Sequence, residues 1–198
     1  LEVLRQPLED GTVTISRARL TTCFPSAFML IAAMNPCPCG YRGDPNRDCQ
    51  CTVPQVERYM SKISGPLLDR IDIHLEVPAV QFGELSRRQA GTSSAVMRQQ
   101  VRAAREIQHR RFRKKRSTGY MCNARMTSRD IRHYCQIDSS AMEILRSAVS
   151  NLGLSARAHD KVLRVARTIA DLDTTETIES QHLSEAIQYR LLDRKLWI

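Results

Sequence analysis

Four cysteines fall within fifteen residues, as Cys37-Pro-Cys39, nine intervening positions, then Cys49-Gln-Cys51. Thiolates are soft ligands, and four of them meet the tetrahedral preference of Zn²⁺ in closed structural sites. The loop around them is rich in Gly and Pro, which lets a short chain wrap an ion. Both pairs are C-x-C where zinc loops usually use C-x₂-C, so two readings stay open: a structural zinc site and four reduced, unligated thiols. A redox role is a third. Cys23, Cys122 and Cys135 stand apart as ordinary core or surface residues, and the odd total of seven argues against a fully paired disulfide scaffold.

Other candidates are single polar groups at element ends. Asn35 closes the apolar run Phe28-Met-Leu-Ile-Ala-Ala-Met34 and precedes Pro36. Ligands of open α/β sheets gather at the carboxyl ends of strands, where such an amide can orient water or touch phosphate; a turn residue bonding its own backbone is the alternative. Arg70 sits between Asp69 and Asp72. It is either their ion-pair partner or a planar, permanently charged fork presented to an anion. Arg157 lies in the first turn of a helical pattern, where free N–H groups already attract phosphate; the alternative is an exposed surface Arg. Arg17 and Arg19 mark a hairpin tip. Arg98, Arg102 and Arg105, with His109 and Arg113, form a stripe on a long helix, either a solvated or intersubunit face or a phosphate-binding one.

The chain of 198 residues has a net charge of +9, and that charge is local. Residues 85–117 hold eleven Lys and Arg against Glu106 alone, which leaves −1 for all the rest. Aromatic residues are 5%, too few for a platform that stacks single-stranded bases. No apolar run approaches a membrane span. The N-terminus lacks the basic start and apolar middle of a signal peptide, so a cytoplasmic location is expected. The chain begins without Met and reads as an excised piece.

The elements that must position these groups follow from periodicity and punctuation. Residues 1–8 read as a helix tail stopped at Gly11, and 12–16 with 19–24 as a β-hairpin. Residues 28–34 predict a strand buried on both faces, and 71–77 a strand covered on one. Thr52, Pro54 and Gln55 spell a capping box for a helix ending near residues 64–66. A helix over 94–115 has Met97, Val101, Ala104 and Ile107 on one broad face. Beyond a connector at 117–124 all is helical: 128–135, 139–152, 155–171 and 181–195, with Asp138 and Ser155 as N-caps and Gly153 as a stop. The fold class is α/β followed by all-α, in three parts: 1–80, a basic helical connector over 81–124, and a helical domain over 125–198.

Taken in order, LEVLRQPLEDGTVTISRA, FMLIAAMNPCPCGYRGD, RYMSKISGPLLDRIDIHLEVP and LSARAHDKVLRVARTIADL resemble the magnesium chelatase-like AAA+ ATPases of the ComM/YifB type. The resemblance implies the C-terminal part of an AAA+ core, an incomplete parallel sheet with a hairpin insertion, followed by a helical lid. It matches Asn35 to the sensor 1 Asn that positions the water attacking the γ-phosphate. It matches Arg70 to the arginine finger acting on a neighbouring subunit's nucleotide, and Arg157 to the sensor 2 Arg of the lid. Residues 12–24 match the pre-sensor 1 hairpin and residues 94–115 the pre-sensor 2 insertion. The implied cofactors are ATP and Mg²⁺, and the implied assembly is a homo-oligomeric ring, a hexamer.

No Gly-x-x-x-x-Gly-Lys-Ser/Thr loop and no apolar strand ending in Asp-Glu occur in these 198 residues. Walker A and Walker B are therefore expected upstream, the fragment alone is expected to be inactive, and the two predicted strands lose the strand expected between them. The function that follows is a ring-forming, ATP-driven DNA motor of the branch-migration type, associated with recombination and natural transformation. The rivals are an ATP-dependent remodelling or metal-chelatase subunit acting without DNA, and an assembly module whose basic helix binds an acidic protein surface.

Overall fold

The computed structural model describes residues 1–78, 80, 83, 91–113 and 122–190. They divide into two compact units: Leu1–Ile71 with Glu76–Val80, and Asp72–Leu75 with residues of 81–192.

The first unit opens with a 3₁₀ turn, Glu2–Leu4, that runs into α1 (Arg5–Asp10). Gly11 ends α1 at φ 66°, a left-handed turn that glycine adopts without steric cost. β1 (Thr12–Arg17) and β2 (Leu20–Pro25) then pair antiparallel, Thr12 opposite Pro25 and Arg17 opposite Leu20. α2 (Val53–Met60) starts from the expected box: the Thr52 N–H donates to Gln55 Oε1 at 2.9 Å. It ends at Met60, and a separate short helix, α3 (Gly65–Leu68), begins where Ser64 Oγ accepts from the Leu67 N–H.

Neither predicted core strand forms. Residues 28–34 take part in no strand pairing, and Met29 and Ile31 stay more than four-fifths exposed. An extended segment becomes a strand only when neighbours take its N–H and C=O groups. Among the described residues β1–β2 is the one sheet. Residues 71–77 use their polar groups differently: the His74 N–H donates to the Tyr189 carbonyl at 2.9 Å, and Lys161 Nζ reaches Asp72 Oδ1 at 2.6 Å. Those bonds count Asp72–Leu75 with the helical unit and leave Leu75 and Val77 exposed.

The second unit contains α4 (Ser94–Arg111), a 3₁₀ turn at Asn123–Arg125, α5 (Ser128–Tyr134), α6 (Ser139–Leu152), α7 (Ala156–Leu172) and α8 (Ser180–Gln188). Its caps are those the sequence predicts. Asp138 Oδ1 accepts from the Ala141 N–H at 2.7 Å, Ser155 Oγ accepts from the Ala158 N–H at 3.1 Å, and Gly153 ends α6 at φ 59°. The core joins Phe112, Met126, Ile131, Leu145, Val162, Ala166, Ile169, Leu183 and Ile187, and a parallel bridge pairs Ile137 with Ile178. α4 keeps only the C-terminal part of its predicted face. Ala104 is buried and Ile107 partly so, joined by Gln108, whereas Met97 and Val101 are about half exposed, because the helix packs on α7 through its C-terminal half. α4 and α8 end at Arg111 and Gln188, short of the predicted 115 and 195; residues 114–115 and 191–195 lie outside the described residues.

Candidate metal centre and phosphate-facing residues

The four loop cysteines converge. Cys37 Sγ lies 3.3 Å from Cys39 Sγ and 3.6 Å from Cys49 Sγ, with Cys39 and Cys49 also 3.6 Å apart. All four sulfurs, Cys51 included, lie within 4.8 Å of one another. A tetrahedron with Zn–S bonds of about 2.3 Å has edges of about 3.8 Å, so the donor set has the size and softness that zinc requires. Among the described residues this is the only metal-sized cluster of Cys, His, Asp or Glu. Local structure builds it: the Gly40 N–H donates to the Cys37 carbonyl at 3.0 Å, and Gly40 takes φ +85°, folding Cys39 back beside Cys37.

The thiols are electrostatically unequal. The Tyr41 N–H and the Cys37 thiol hold Cys39 down to about 6. The Cys39 N–H would lower Cys51, yet burial and the three neighbouring sulfurs outweigh it and push Cys51 up to about 12. Cys37 is also held below the ordinary thiol value and Cys49 above it, so the first pair ionises more readily than the second. Cys135, by contrast, is a core thiol that burial pushes up to about 11, with Met126 Sδ at 3.7 Å. Cys23 is exposed.

Asn35 stands at the entrance to this loop, and a side-chain carbon added at Gly40 would lie 3.7 Å from its Nδ2, an ordinary contact distance. Arg70 follows α3 and is tied down inside its own unit. One guanidinium nitrogen donates to the Pro66 carbonyl at 2.6 Å and another to the Glu9 carboxylate, which leaves the side chain 16% exposed. Glu9 reaches it because α1 is anchored to α3: Arg5 donates to Ser64 Oγ at 2.6 Å, and Ser64 Oγ donates to Glu2 Oε2 at 2.9 Å. The Ser64 hydrogen bonds hold the Glu2 carboxyl below its ordinary range. A carboxylate on Arg70 comes from Glu9, sixty-one residues upstream. No local spacing could have pointed to it.

Arg157, the second residue of α7, is exposed just beyond the Ser155 cap, a position suited to an anion. Arg17 and Arg19 flank the hairpin turn with exposed side chains. Arg98, Arg102 and Arg105 are exposed along α4, with Glu106 and Gln99 beside Arg98 and Arg102 in a shallow groove. Asn35, Arg70 and the cysteines belong to the first unit and Arg157 to the second.

A network that sequence reasoning missed sits in the helical unit. Asp171 accepts from Arg111, Arg167 and Asn123, and Asn123 also donates to Thr168 Oγ1 at 3.1 Å. Arg167 continues it to the carbonyls of Thr175 and Glu176, both at 2.6 Å. The only local signal is Arg167 and Asp171 one helical turn apart; Asn123 and Arg111 are 48 and 60 residues away.

Comparison with known proteins agrees with this layout. Residues 1–85 match the model of "Magnesium chelatase, subunit ChlI", and residues 91–190 that of "Magnesium chelatase, subunit ChlI C-terminal". The chain is 44% identical over 198 residues to the protein YifB of Escherichia coli and 43% identical over 199 residues to the competence protein ComM of Haemophilus influenzae. A Mycobacterium tuberculosis protein, Rv2897c, is 37% identical over 190 residues. These alignments cover 96–99% of the chain but 37% of each relative, so the chain spans little more than a third of their length. With both halves matched in order, the chain belongs to the magnesium chelatase ChlI family, as a protein of the ComM/YifB type.

Proposed function

We propose that this chain is the C-terminal part of an ATP-driven ring motor acting on DNA. The observation that carries this reading is the ordered match of both family models across Asn35, Arg70 and Arg157, three groups suited to phosphate. Bound ATP and Mg²⁺ would supply the phosphoryl group and its charge neutralisation. Phosphoryl transfer demands positioning and charge stabilisation more than covalent chemistry. Asn35 orients water at the γ-phosphate. Arg70 leaves Glu9 to complete the site of a neighbouring subunit in a hexameric ring. Arg157 senses nucleotide from the lid, formed by residues 125–198, while residues 1–80 complete the core and 81–124 connect the two. The phosphate cradle lies outside these 198 residues, so the chain alone does not hydrolyse ATP.

Cys37, Cys39, Cys49 and Cys51 hold a structural Zn²⁺, supported by the mutual distances of their sulfurs. DNA is the partner because the net charge is concentrated in residues 85–117, which include the Arg98, Arg102 and Arg105 stripe of α4, and because one relative is named a competence protein. The working location is the cytoplasm; among the described residues no helix is long and apolar enough to cross a membrane. The family's magnesium chelatase title favours one rival, an ATP-dependent chelatase-type subunit acting on protein without DNA. ATPase assays of the whole protein with and without DNA separate the two. Stimulation that weakens steeply with salt supports the motor; indifference to DNA supports the rival.

A further inference from the structure

We infer that Glu9 is the positioning residue that withholds Arg70, and that α1 makes its release answer to the hairpin. The inference rests on the DNA-motor reading above and adds how that site is regulated. Residues 2–10 are fastened to α3 and its flanks at both ends. At the start, Arg5 donates to Ser64 Oγ at 2.6 Å, while Glu2 accepts from the Ser64 N–H at 3.3 Å and from its hydroxyl at 2.9 Å. At the end, Glu9 takes the guanidinium of Arg70, which follows α3 and also donates to the Pro66 carbonyl at 2.6 Å. The second fastening differs in kind from the first. It occupies a guanidinium nitrogen that a phosphate also claims, since carboxylates and phosphates pair with the same planar fork. Glu9 and a phosphate therefore compete for Arg70.

The end of α1 that holds Arg70 is also the root of the hairpin. Gly11 alone separates Asp10 from Thr12, and its carbonyl accepts from the Ser26 N–H at 2.7 Å, which closes the base of the ribbon. Gln6 Nε2 donates to Thr14 Oγ1 at 3.2 Å, a second tie between helix and strand. Glu9 and the ribbon's base thus belong to one piece, with Arg17 and Arg19 exposed at its far end. DNA engaging those two cations loads the ribbon and shifts its root, which draws Glu9 off Arg70. By reciprocity, an Arg70 held by phosphate frees the root and favours the loaded ribbon.

The test follows ATPase activity of the whole protein across a DNA titration, in the parent and in Glu9→Gln, which keeps the side chain's shape and removes its charge. The pair is partly exposed, Arg70 at 16% and Glu9 at 34%, so its loss should raise the DNA-free rate about two- to fivefold. The DNA-saturated rate should match the parent's, which also reports that the variant is folded. The DNA concentration for half-maximal stimulation should fall, because binding no longer works against the Glu9 pair. A Glu9 with a structural role alone would move neither the DNA-free rate upward nor the half-maximal concentration downward. In a parent that DNA stimulates, either quantity unchanged in Glu9→Gln overturns the inference and leaves the motor reading standing. A rate depressed at every DNA concentration does the same. A parent indifferent to DNA overturns both.

Discussion

Asp171, with no exposed surface, accepts the Arg111 guanidinium fork at 2.7 and 2.5 Å, joining the end of α4 to the C-terminal end of α7. Burial alone would depress the charge on its second cation, Arg167, and Asp171 opposes that. Removing one partner of a buried ionic set leaves the others desolvated and uncompensated, which costs about 3–5 kcal/mol. Asp171→Ala should therefore lower unfolding stability by about that amount in urea titrations. Asn123→Ala, which leaves both arginines paired, should cost distinctly less.

The N-caps of α2, α6 and α7 were legible because each is a local sentence of three or four residues: Thr52 to Gln55, Asp138 to Ala141, Ser155 to Ala158. The Asp171 network and the Glu9–Arg70 pair were not, since their partners meet only after the chain folds. The half-exposed Met97 and Val101 show the limit of periodicity: an apolar stripe states what a helix can bury, not what arrives to cover it. The cysteine cluster was readable as a donor set because all four residues fall within fifteen positions of one loop.

Asp138 gives a prediction in pH. Hydrogen bonds from the Ala141 N–H and Ser140 hold its carboxyl below the ordinary value of 3.8. The folded value is depressed, so the cap's stabilisation is fully present above about pH 4 and is lost as pH falls through the folded value. Asp138→Ala should lower Tm at neutral pH, and its deficit relative to the parent should shrink below pH 4. A constant deficit across that window would contradict the assignment.

Metal removal should be visible in thiol counts. With zinc bound, Cys23 reacts readily and Cys135 is shielded by the core. Chelation should add the four loop thiols to the reactive set without unfolding the helical unit. An unchanged count after complete metal removal would contradict ligation.

The basic stripe makes a quantitative claim about DNA. If Arg98, Arg102 and Arg105 each neutralise a phosphate, charge removal at each should flatten the plot of log affinity against log salt by about 0.9. Equal substitutions at Arg17 and Arg19 report the hairpin. A slope unchanged by all five would place the DNA surface elsewhere.

The most direct measurement is subunit complementation in the whole protein, mixing Arg70→Ala subunits with Asn35→Ala subunits. Arginine fingers supply about 10³–10⁵ in rate, so rings of either variant alone should be nearly inactive. If Arg70 acts on its neighbour's nucleotide, an Arg70→Ala subunit beside an Asn35→Ala subunit re-forms one site with both groups, and the mixed rings should regain ATPase activity. Mixed rings as inactive as either variant alone would contradict the account.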